Sequence, residues 1–240
     1  MKISIIGGAG RVGTAIAYAL LNLNSMRLKE LVLVDIMKDA VQGEALDLGH
    51  AAVALSPGTK VTGTDDYSAI KGSDAVIFVA GKARKPGETR EMLFDFNSKI
   101  TRIAAEKIRE FAPAAKVVVV TNPSTQLGKV MQEATGFPSE QIIVMDNQLD
   151  TARLKYYIAK ETGKSVTGLK SKTVGEHGES MEFRIEDQMT DGQAEKARQL
   201  TKDAGMTIIR LKGHTCWGIA AQVAEEVKRL TAVVGAKAQK

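Results

Sequence analysis

Three glycines and one aspartate near the start of the chain have the spacing of a site that binds a diphosphate. Gly8, Gly10 and Gly13 form the pattern G-x-G-x-x-G, and Asp35 follows 22 residues after Gly13. Glycines let the backbone bend tightly and bring its amides against a phosphate, and an acid at about this spacing accepts hydrogen bonds from an adenosine ribose. The pattern therefore predicts a dinucleotide site, although glycine-rich turns of this kind also occur for structural reasons alone.

The segments around these residues strengthen that prediction. The apolar run ending at Ile6 predicts a buried strand, and the residues from Val12 to about Asn24 predict a helix whose positive end faces the glycine turn. A second apolar run, Leu31–Val34, leads directly to Asp35. The charge of Asp35 repels a 2′-phosphate, so the sequence favours NAD over NADP, and the nearby Lys38 softens that preference.

A histidine and an acid–base pair in the second half of the chain have the types needed for proton and anion chemistry. His177 lies in the run Gly175–Gly178, where flanking glycines indicate exposed, tightly bent backbone, and an imidazole there can take a proton near neutral pH. Asp150 and Arg153 are three residues apart and share one face of a predicted helix. The same spacing also fits an ordinary ion pair at the surface.

Two arginines lie on a polar loop that leaves a strongly apolar strand. Arg84 and Arg90 are six residues apart, with Pro86 and Gly87 between them. Open α/β sheets bind their ligands at the carboxyl ends of their strands, and guanidinium groups donate paired hydrogen bonds to carboxylates. The loop is therefore either an arginine-bearing flap that closes over an anion or simply a solvated connection.

Apolar runs alternate with helical periodicity through the first 146 residues, which predicts a doubly wound parallel sheet of the Rossmann type. Strands are expected near residues 60–63, 74–80, 116–120 and 141–145, and helices at 39–52, 91–111 and 124–135. The alternation weakens after Gly163, so we place a second, α+β domain at residues 147–240. It is expected to contain a strand over 169–174 and two helices, at 192–211 and 215–234.

Composition excludes several classes of function. The 240 residues are 44% apolar, and no apolar run reaches the length of a membrane span. One cysteine, Cys216, rules out an internal disulfide framework, and the 3 histidines lack the paired spacing of a metal site. A net charge of +5 suits an anionic ligand, but only 5% of residues are aromatic, so no nucleic-acid platform is expected. We expect a cytoplasmic protein.

Taken together, seven segments resemble the malate and lactate dehydrogenase family, most closely its archaeal malate dehydrogenase members. They occur in family order between Lys2 and about Leu230: GAGRVG, LVLVD, AGKARKPGETR, VVVVTNP, NQLDTARLK, GEHGESM and IIRLKGHTCWGIA. The resemblance implies reversible hydride transfer between malate or oxaloacetate and NAD, a place in the tricarboxylic acid cycle, and a homodimer or homotetramer.

The resemblance also implies a role for individual residues. His177 is the expected acid/base, Asp150 orients its imidazole, and Arg153 binds the substrate carboxylate next to C2. Arg90 is expected to polarise the ketone oxygen, with Asn122 and Thr215 also facing the substrate. The residues implied in cofactor binding are Gly8, Gly10, Arg11, Val12, Gly13, Asp35, Ala80, Gly81, Asn97, Thr121 and Asn122.

The resemblance leaves two points open: which substrate the chain selects, and whether its shorter substrate domain is active. An arginine at position 84 implies a second carboxylate, hence malate, whereas the segment Lys212–Trp217 is closer to the lactate enzymes. Family members continue with strands and a last helix beyond the helix containing Val223, and the stretch after Gly178 is shorter and lacks the usual strand pair. The alternatives are therefore a dehydrogenase for lactate or another 2-hydroxy acid, or an NAD-binding fragment with impaired catalysis.

Overall fold

The structure, a computed structural model, describes residues 1–23, 27–82, 89–176, 178 and 180–237, with the backbone alone at Arg90 and over 231–237. The chain forms two compact units. The first contains Met1–Met145 and the chain from Ile219 onward, and the second contains Asp146–Gly218.

A six-stranded parallel sheet forms the centre of the first unit. Its spatial order is β3-β2-β1-β4-β5-β6, so the chain reverses direction across the sheet after β3. β1 pairs with β2 and β4 in the register Ile5↔Leu33 and Ile5↔Ile77, which places three buried apolar side chains side by side. The strands are β1 (Lys2–Ile6), β2 (Glu30–Val34), β3 (Lys60–Thr64), β4 (Ala75–Phe78), β5 (Lys116–Val119) and β6 (Ile142–Val144).

Helices connect these strands, as parallel pairing requires. They are α1 (Arg11–Leu21), α2 (Lys38–Leu55), α3 (Arg90–Phe111) and α4 (Ser124–Thr135), with short 3₁₀ turns at Tyr67–Ile70 and Ser139–Gln141. α3 and α4 bury Ile108, Leu127 and Met131 against Phe78 and Val117 of the sheet. The predicted doubly wound sheet is confirmed.

The second unit packs two long helices beside a small sheet. α5 (Gln148–Thr162) buries Leu154 and Ile158 in one cluster with Ala197 of α6 (Asp191–Lys212). The strands β7 (Lys172–Val174) and β8 (Glu182–Arg184) pair antiparallel. Thr190 and Gln193 form a capping box that begins α6: the Thr190 hydroxyl accepts from the amide of Gln193, and the Gln193 side chain accepts from the amide of Thr190.

The observed units differ from the predicted domains at the C-terminal helix, α7 (Trp217–Lys237). The prediction placed all of 147–240 in one domain, whereas the chain from Ile219 onward groups with the first unit and the boundary follows Met145. α7 buries a face at helical spacing, at Ala220, Val223, Ala224 and Val227. Such a face indicates packing but not which unit receives it, so sequence could not assign it.

The small sheet also differs from expectation. The strand predicted over 169–174 begins only at Lys172, because the amides of Lys170 and Ser171 donate to the carboxylate of Asp187 instead of to a neighbouring strand. The segment after Gly178, which was expected to lack the usual strand pair, contributes one described strand, β8, and this strand pairs with β7.

Candidate functional site

The glycine turn is held against the end of β2. The amides of Gly7 and Gly8 both donate to the carbonyl of Val34, at 2.8 and 3.1 Å, and the amide of Ala9 donates to Oδ2 of Asp35 at 3.0 Å. The turn and its acid are therefore one hydrogen-bonded structure.

Two of the predicted glycines have different physical reasons to be glycine. A Cβ on Gly13 would lie 2.2 Å from the carbonyl oxygen of Gly7, so a side chain there cannot be accommodated. A Cβ on Gly10 would meet only that same oxygen, at 3.4 Å, and the φ of Gly10 is an ordinary −77°. The protein's own packing thus leaves space above Gly10, which is where a bound diphosphate needs to approach the backbone.

The helix that starts at this turn completes the anion site. α1 begins at Arg11, which is exposed, and continues through the half-buried Val12. Its cap residue is Gly10, which has no side chain to cap the helix. The first amides of α1 are therefore available to a negatively charged group, in line with the dipole of the helix.

Asp35 keeps acceptor capacity for a ligand. Its Oδ1 accepts from the amide of Met37 at 3.1 Å and its Oδ2 from Ala9. An ionised carboxylate accepts about four hydrogen bonds, so two positions remain for ribose hydroxyls.

Two further side chains lie near this acid. Nζ of Lys38, expected to soften the preference for NAD, lies 3.6 Å from Oδ1 of Asp65. Burial, and then the charge of Asp35, raise the pKa of Tyr67 above its ordinary 10.0.

The ends of β4 and β5 are joined by one buried amide, that of Asn97 on α3, which is 0% exposed. Its Oδ1 accepts from the amide of Lys82 at 2.8 Å, and its Nδ2 donates to the carbonyl of Asn122 at 2.8 Å. The hydroxyl of Thr121 donates to the carbonyl of Ala80 at 2.9 Å. Asn97 thereby positions the loop backbone after both strands.

Gly81 and Gly7 show how closely these loops approach one another. A Cβ on Gly81 would lie 2.5 Å from Cγ2 of Thr121. Gly7 has a φ of +94°, and a Cβ there would lie 2.5 Å from the amide nitrogen of Ala80. The glycine turn therefore adjoins the end of β4, and the structure brings the predicted cofactor residues of the first unit together at the carboxyl ends of its strands.

In the second unit, Asp150 and Arg153 form a buried ion pair rather than a surface one. Asp150 is 1% exposed, and Nη1 of Arg153 donates to its Oδ1 at 2.9 Å. A guanidinium has five N–H donors, and this contact uses one of them. Thr215 is half-buried in the turn between α6 and α7, and the side chain of Asn122 is exposed at the end of β5.

Three of the predicted site residues fall partly or wholly outside the described part of the chain. They are His177 and Arg84, and the side chain of Arg90, whose backbone starts α3. The residues on either side of His177 are described. The carbonyl of Gly178 accepts from the amide of Met181 at 3.3 Å, and the carbonyl of Glu176 accepts from the hydroxyl of Ser180 at 3.4 Å.

Two residues of the site had not been identified from the sequence. Gly7 was missed although it forms a Gly-Gly pair with Gly8, a signal that could have found it. Asn147 was missed because its side-chain partner, the carbonyl of Gly175, is 28 residues away along the chain. No local pattern reveals such a pairing.

The described residues contain neither a cluster of metal ligands nor a helix that could span a membrane. Among them, no three His, Cys, Asp or Glu side chains gather as a metal site would require. Over the same residues, no helix has both the length and the apolar character needed to cross a membrane.

A doubly wound parallel sheet with a glycine turn, an uncapped helix N-terminus and an acid at the end of β2 defines a dinucleotide-binding protein of the Rossmann class. Residues 1–144 match the family model described as "lactate/malate dehydrogenase, NAD binding domain". That stretch contains the glycine turn, Asp35 and the Asn97 cluster.

Two relatives and one solved structure extend the likeness to nearly the whole chain. Malate dehydrogenase of Pyrobaculum calidifontis is 39% identical over 93% of this chain and 76% of its own length, and that of Archaeoglobus fulgidus is 37% identical over 98% and 79%. The structure of the Archaeoglobus fulgidus enzyme in complex with NADH superposes with a TM-score of 0.87, at 36% identity, covering 97% of this chain and 78% of that one. The chain belongs to the lactate/malate dehydrogenase family.

Proposed function

We propose that this chain is an NAD-dependent malate dehydrogenase that interconverts malate and oxaloacetate. The observation that carries the proposal is the buried Asp150–Arg153 pair, in a chain that also has the complete NAD fingerprint around Gly10 and Asp35. A buried ion pair is costly to desolvate, so its presence in a small unit is better explained by chemistry than by stability. The relatives that match nearly the whole chain are malate dehydrogenases.

The residues of the first unit fit NAD. The open space at Gly10 and the free amides of α1 suit its diphosphate, and the remaining acceptor positions of Asp35 suit its adenosine ribose. Bound NAD supplies a hydride acceptor for C2 of malate. The 2′-phosphate of NADP would lie against the carboxylate of Asp35, so NAD is favoured over NADP.

We assign proton transfer to His177. It takes the hydroxyl proton of malate as the hydride leaves and returns it to the ketone oxygen in reduction. Asp150 orients the imidazole and favours its protonated form, because a neighbouring carboxylate stabilises a positive charge. Arg153 pairs with the carboxylate next to C2 through the donors that Asp150 does not use.

We assign recognition of the ketone oxygen and of the second carboxylate of the substrate to Arg90 and Arg84. Arg90 polarises the ketone oxygen, and Arg84 pairs with the second carboxylate. Lactate is the alternative substrate, favoured by the sequence around Thr215. Because a guanidinium closed over a methyl group would be buried without a partner, Arg84→Gln should shift the ratio of kcat/KM for pyruvate over oxaloacetate upward by about tenfold or more. An unchanged ratio would remove Arg84 from substrate recognition.

The main test is oxidation of NADH by the 240-residue chain with oxaloacetate, followed by absorbance. His177→Ala should lower kcat by about 100-fold or more, since it removes the acid/base. His214→Ala, at the end of the same unit, is the matched control and should retain activity. A wild-type chain that binds NADH without reducing oxaloacetate or pyruvate would instead identify the NAD-binding fragment.

The proposed enzyme acts in the cytoplasm as a homodimer or homotetramer. Exposed apolar side chains on α2 support self-association, because Leu46 and Val53 lie on one face of that helix with 65% and 76% of their surface exposed. Fractionation of cells with an antibody to the chain tests the compartment.

A further inference from the structure

Asn147 is the N-cap residue of α5, but its side chain does not cap the helix. Asparagine is among the best capping residues, because its side-chain oxygen normally accepts from an amide of the first turn. Here the backbone of Asn147 has helical angles, φ −92° and ψ −6°, and no such bond forms. Its Oδ1 is buried and has no hydrogen-bond partner among the described residues.

The other end of the same amide reaches a different part of the unit. Nδ2 of Asn147 donates to the carbonyl oxygen of Gly175. Gly175 lies just after β7, with a φ of +87°, and a Cβ there would lie 2.8 Å from the carbonyl oxygen of Ser180. The Gly175 carbonyl therefore belongs to a tight turn.

Neighbouring contacts lock the same two segments together. The hydroxyls of Thr151 and Thr173 are 3.0 Å apart, and the amide of Thr173 donates to the Thr151 hydroxyl at 3.1 Å. The hydroxyl of Thr173 also donates to the backbone carbonyl of Asn147 at 3.3 Å. These bonds fix β7 against the first turn of α5, and the Asn147 amide extends the contact into the turn beyond the strand.

We propose that Asn147 is a positioning residue for proton transfer: its amide fixes the Gly175 carbonyl, and so the chain that leads from β7 to His177, against the start of α5, which carries Asp150 and Arg153. This inference rests on the proposed function of His177. Asn147 is three residues before Asp150 and Gly175 is two residues before His177. Because misplacement of a catalytic group by about 1 Å can cost about 100-fold in rate, a single bond at this point is consequential.

Asn147 occupies the N-cap position, but its side-chain amide bonds to Gly175 and not to the first turn of α5. Aspartate and serine would cap α5 equally well, but an ionised aspartate has no donor for the Gly175 carbonyl. Asn147→Asp therefore keeps the capping chemistry and removes the proposed bond. Asn147→Ala removes the bond and leaves no side-chain acceptor that could cap the helix.

The experiment compares Asn147→Asp and Asn147→Ala with a matched control, Ser180→Ala. Ser180 donates to the next carbonyl of the same turn, that of Glu176, through a longer and exposed bond. Both Asn147 variants should lower kcat for oxaloacetate reduction by about tenfold or more, with KM changed less than about threefold, because the loss concerns alignment rather than binding. Ser180→Ala should stay within about twofold of wild type, since exposed bonds contribute little.

A second measurement does not depend on turnover. Amide hydrogen exchange over residues 172–181 should be about tenfold faster in Asn147→Asp than in wild type, because the turn opens more often without its anchor. Faster exchange together with lower kcat supports the proposal. Unchanged exchange overturns it, and so does normal kcat in Asn147→Asp, which would show that the bond to Gly175 has no part in catalysis. If the wild-type chain does not reduce oxaloacetate, the proposed function fails, and exchange still decides whether Asn147 anchors the turn.

Discussion

At the scale of single residues, substitutions at Gly10 and Gly13 test cofactor binding and folding separately. Gly10→Ala adds a methyl group that the protein accommodates, so the midpoint of thermal unfolding should fall by less than about 4 °C. The same methyl group occupies the space for the diphosphate, so NADH affinity should fall by about tenfold or more. Calorimetry and NADH titration measure the two effects.

Gly13→Ala is the counterpart, with the opposite expectation. Its methyl group would lie 2.2 Å from the Gly7 carbonyl oxygen, so the free energy of unfolding should fall by about 2 kcal/mol or more. If Gly10→Ala instead destabilised the fold as much as Gly13→Ala, the space above Gly10 would have to be assigned to packing.

Asp35 is the residue on which cofactor choice depends. Asp35→Asn removes the charge that opposes a 2′-phosphate, so kcat/KM for NADPH relative to NADH should rise about tenfold or more, equivalent to about 1.4 kcal/mol. Asp65→Asn is the matched control, because Asp65 pairs with exposed Lys38 and makes no hydrogen bond to the turn among the described residues. Its change should stay below about threefold, in keeping with the weakness of exposed pairs. Equal effects would show that general charge, not the position of Asp35, sets the preference.

At the scale of elements, Asp187 organises the β7–β8 sheet. Burial raises the pKa of Asp187, but hydrogen bonds from Ser171 and from the amide of Lys170, with the charge of Lys164, outweigh it, so the pKa lies below its ordinary 3.8. A carboxylate with a lowered pKa stabilises the folded state above its unfolded pKa, and that stability is lost as the pH falls through the folded value.

Asp187→Asn should therefore lower the free energy of unfolding by about 1–2 kcal/mol at pH 7, and the difference from wild type should shrink below about pH 3. Denaturation followed by Trp217, the only tryptophan of the chain, reports on the second unit. Asp203→Asn is the control, because Asp203 is exposed and bound only by Gln199 on the same helix among the described residues. A difference that persists at low pH would mean that shape, not charge, is responsible.

The same elements show what sequence could and could not predict. α4 has the predicted bounds because Pro123 precedes it and Gly136, in a left-handed conformation, ends it. β7 was predicted too long because Asp187, 16 residues after Ser171, takes the amides that a strand would have used. In the site, the fixed spacing of Gly10, Gly13 and Asp35 is a local pattern, whereas the bond between Asn147 and Gly175 exists only once β7 lies against α5.

At the scale of the whole molecule, the last prediction concerns self-association. Leu46, His50 and Val53 recur at helical spacing on α2, and all three side chains are exposed. Burying a leucine is worth about 1.5–3 kcal/mol, and burying an unpaired carboxylate costs several, so Leu46→Glu should weaken association of two copies by about 100-fold or more. Sedimentation over a range of concentrations measures this change.

Ile103→Glu is the matched control for that variant. Ile103 on α3 is also exposed, at 56%, but its neighbours at helical spacing, Lys99, Glu106 and Lys107, are charged. An isolated apolar residue in a charged surface contributes little to an interface, so this variant should associate like wild type. If Leu46→Glu and wild type sediment alike while Ile103→Glu dissociates, the interface lies on α3 rather than α2. If all three are monomers at every concentration, the proposed homo-oligomer is wrong, and the exposed face of α2 does not mediate self-association.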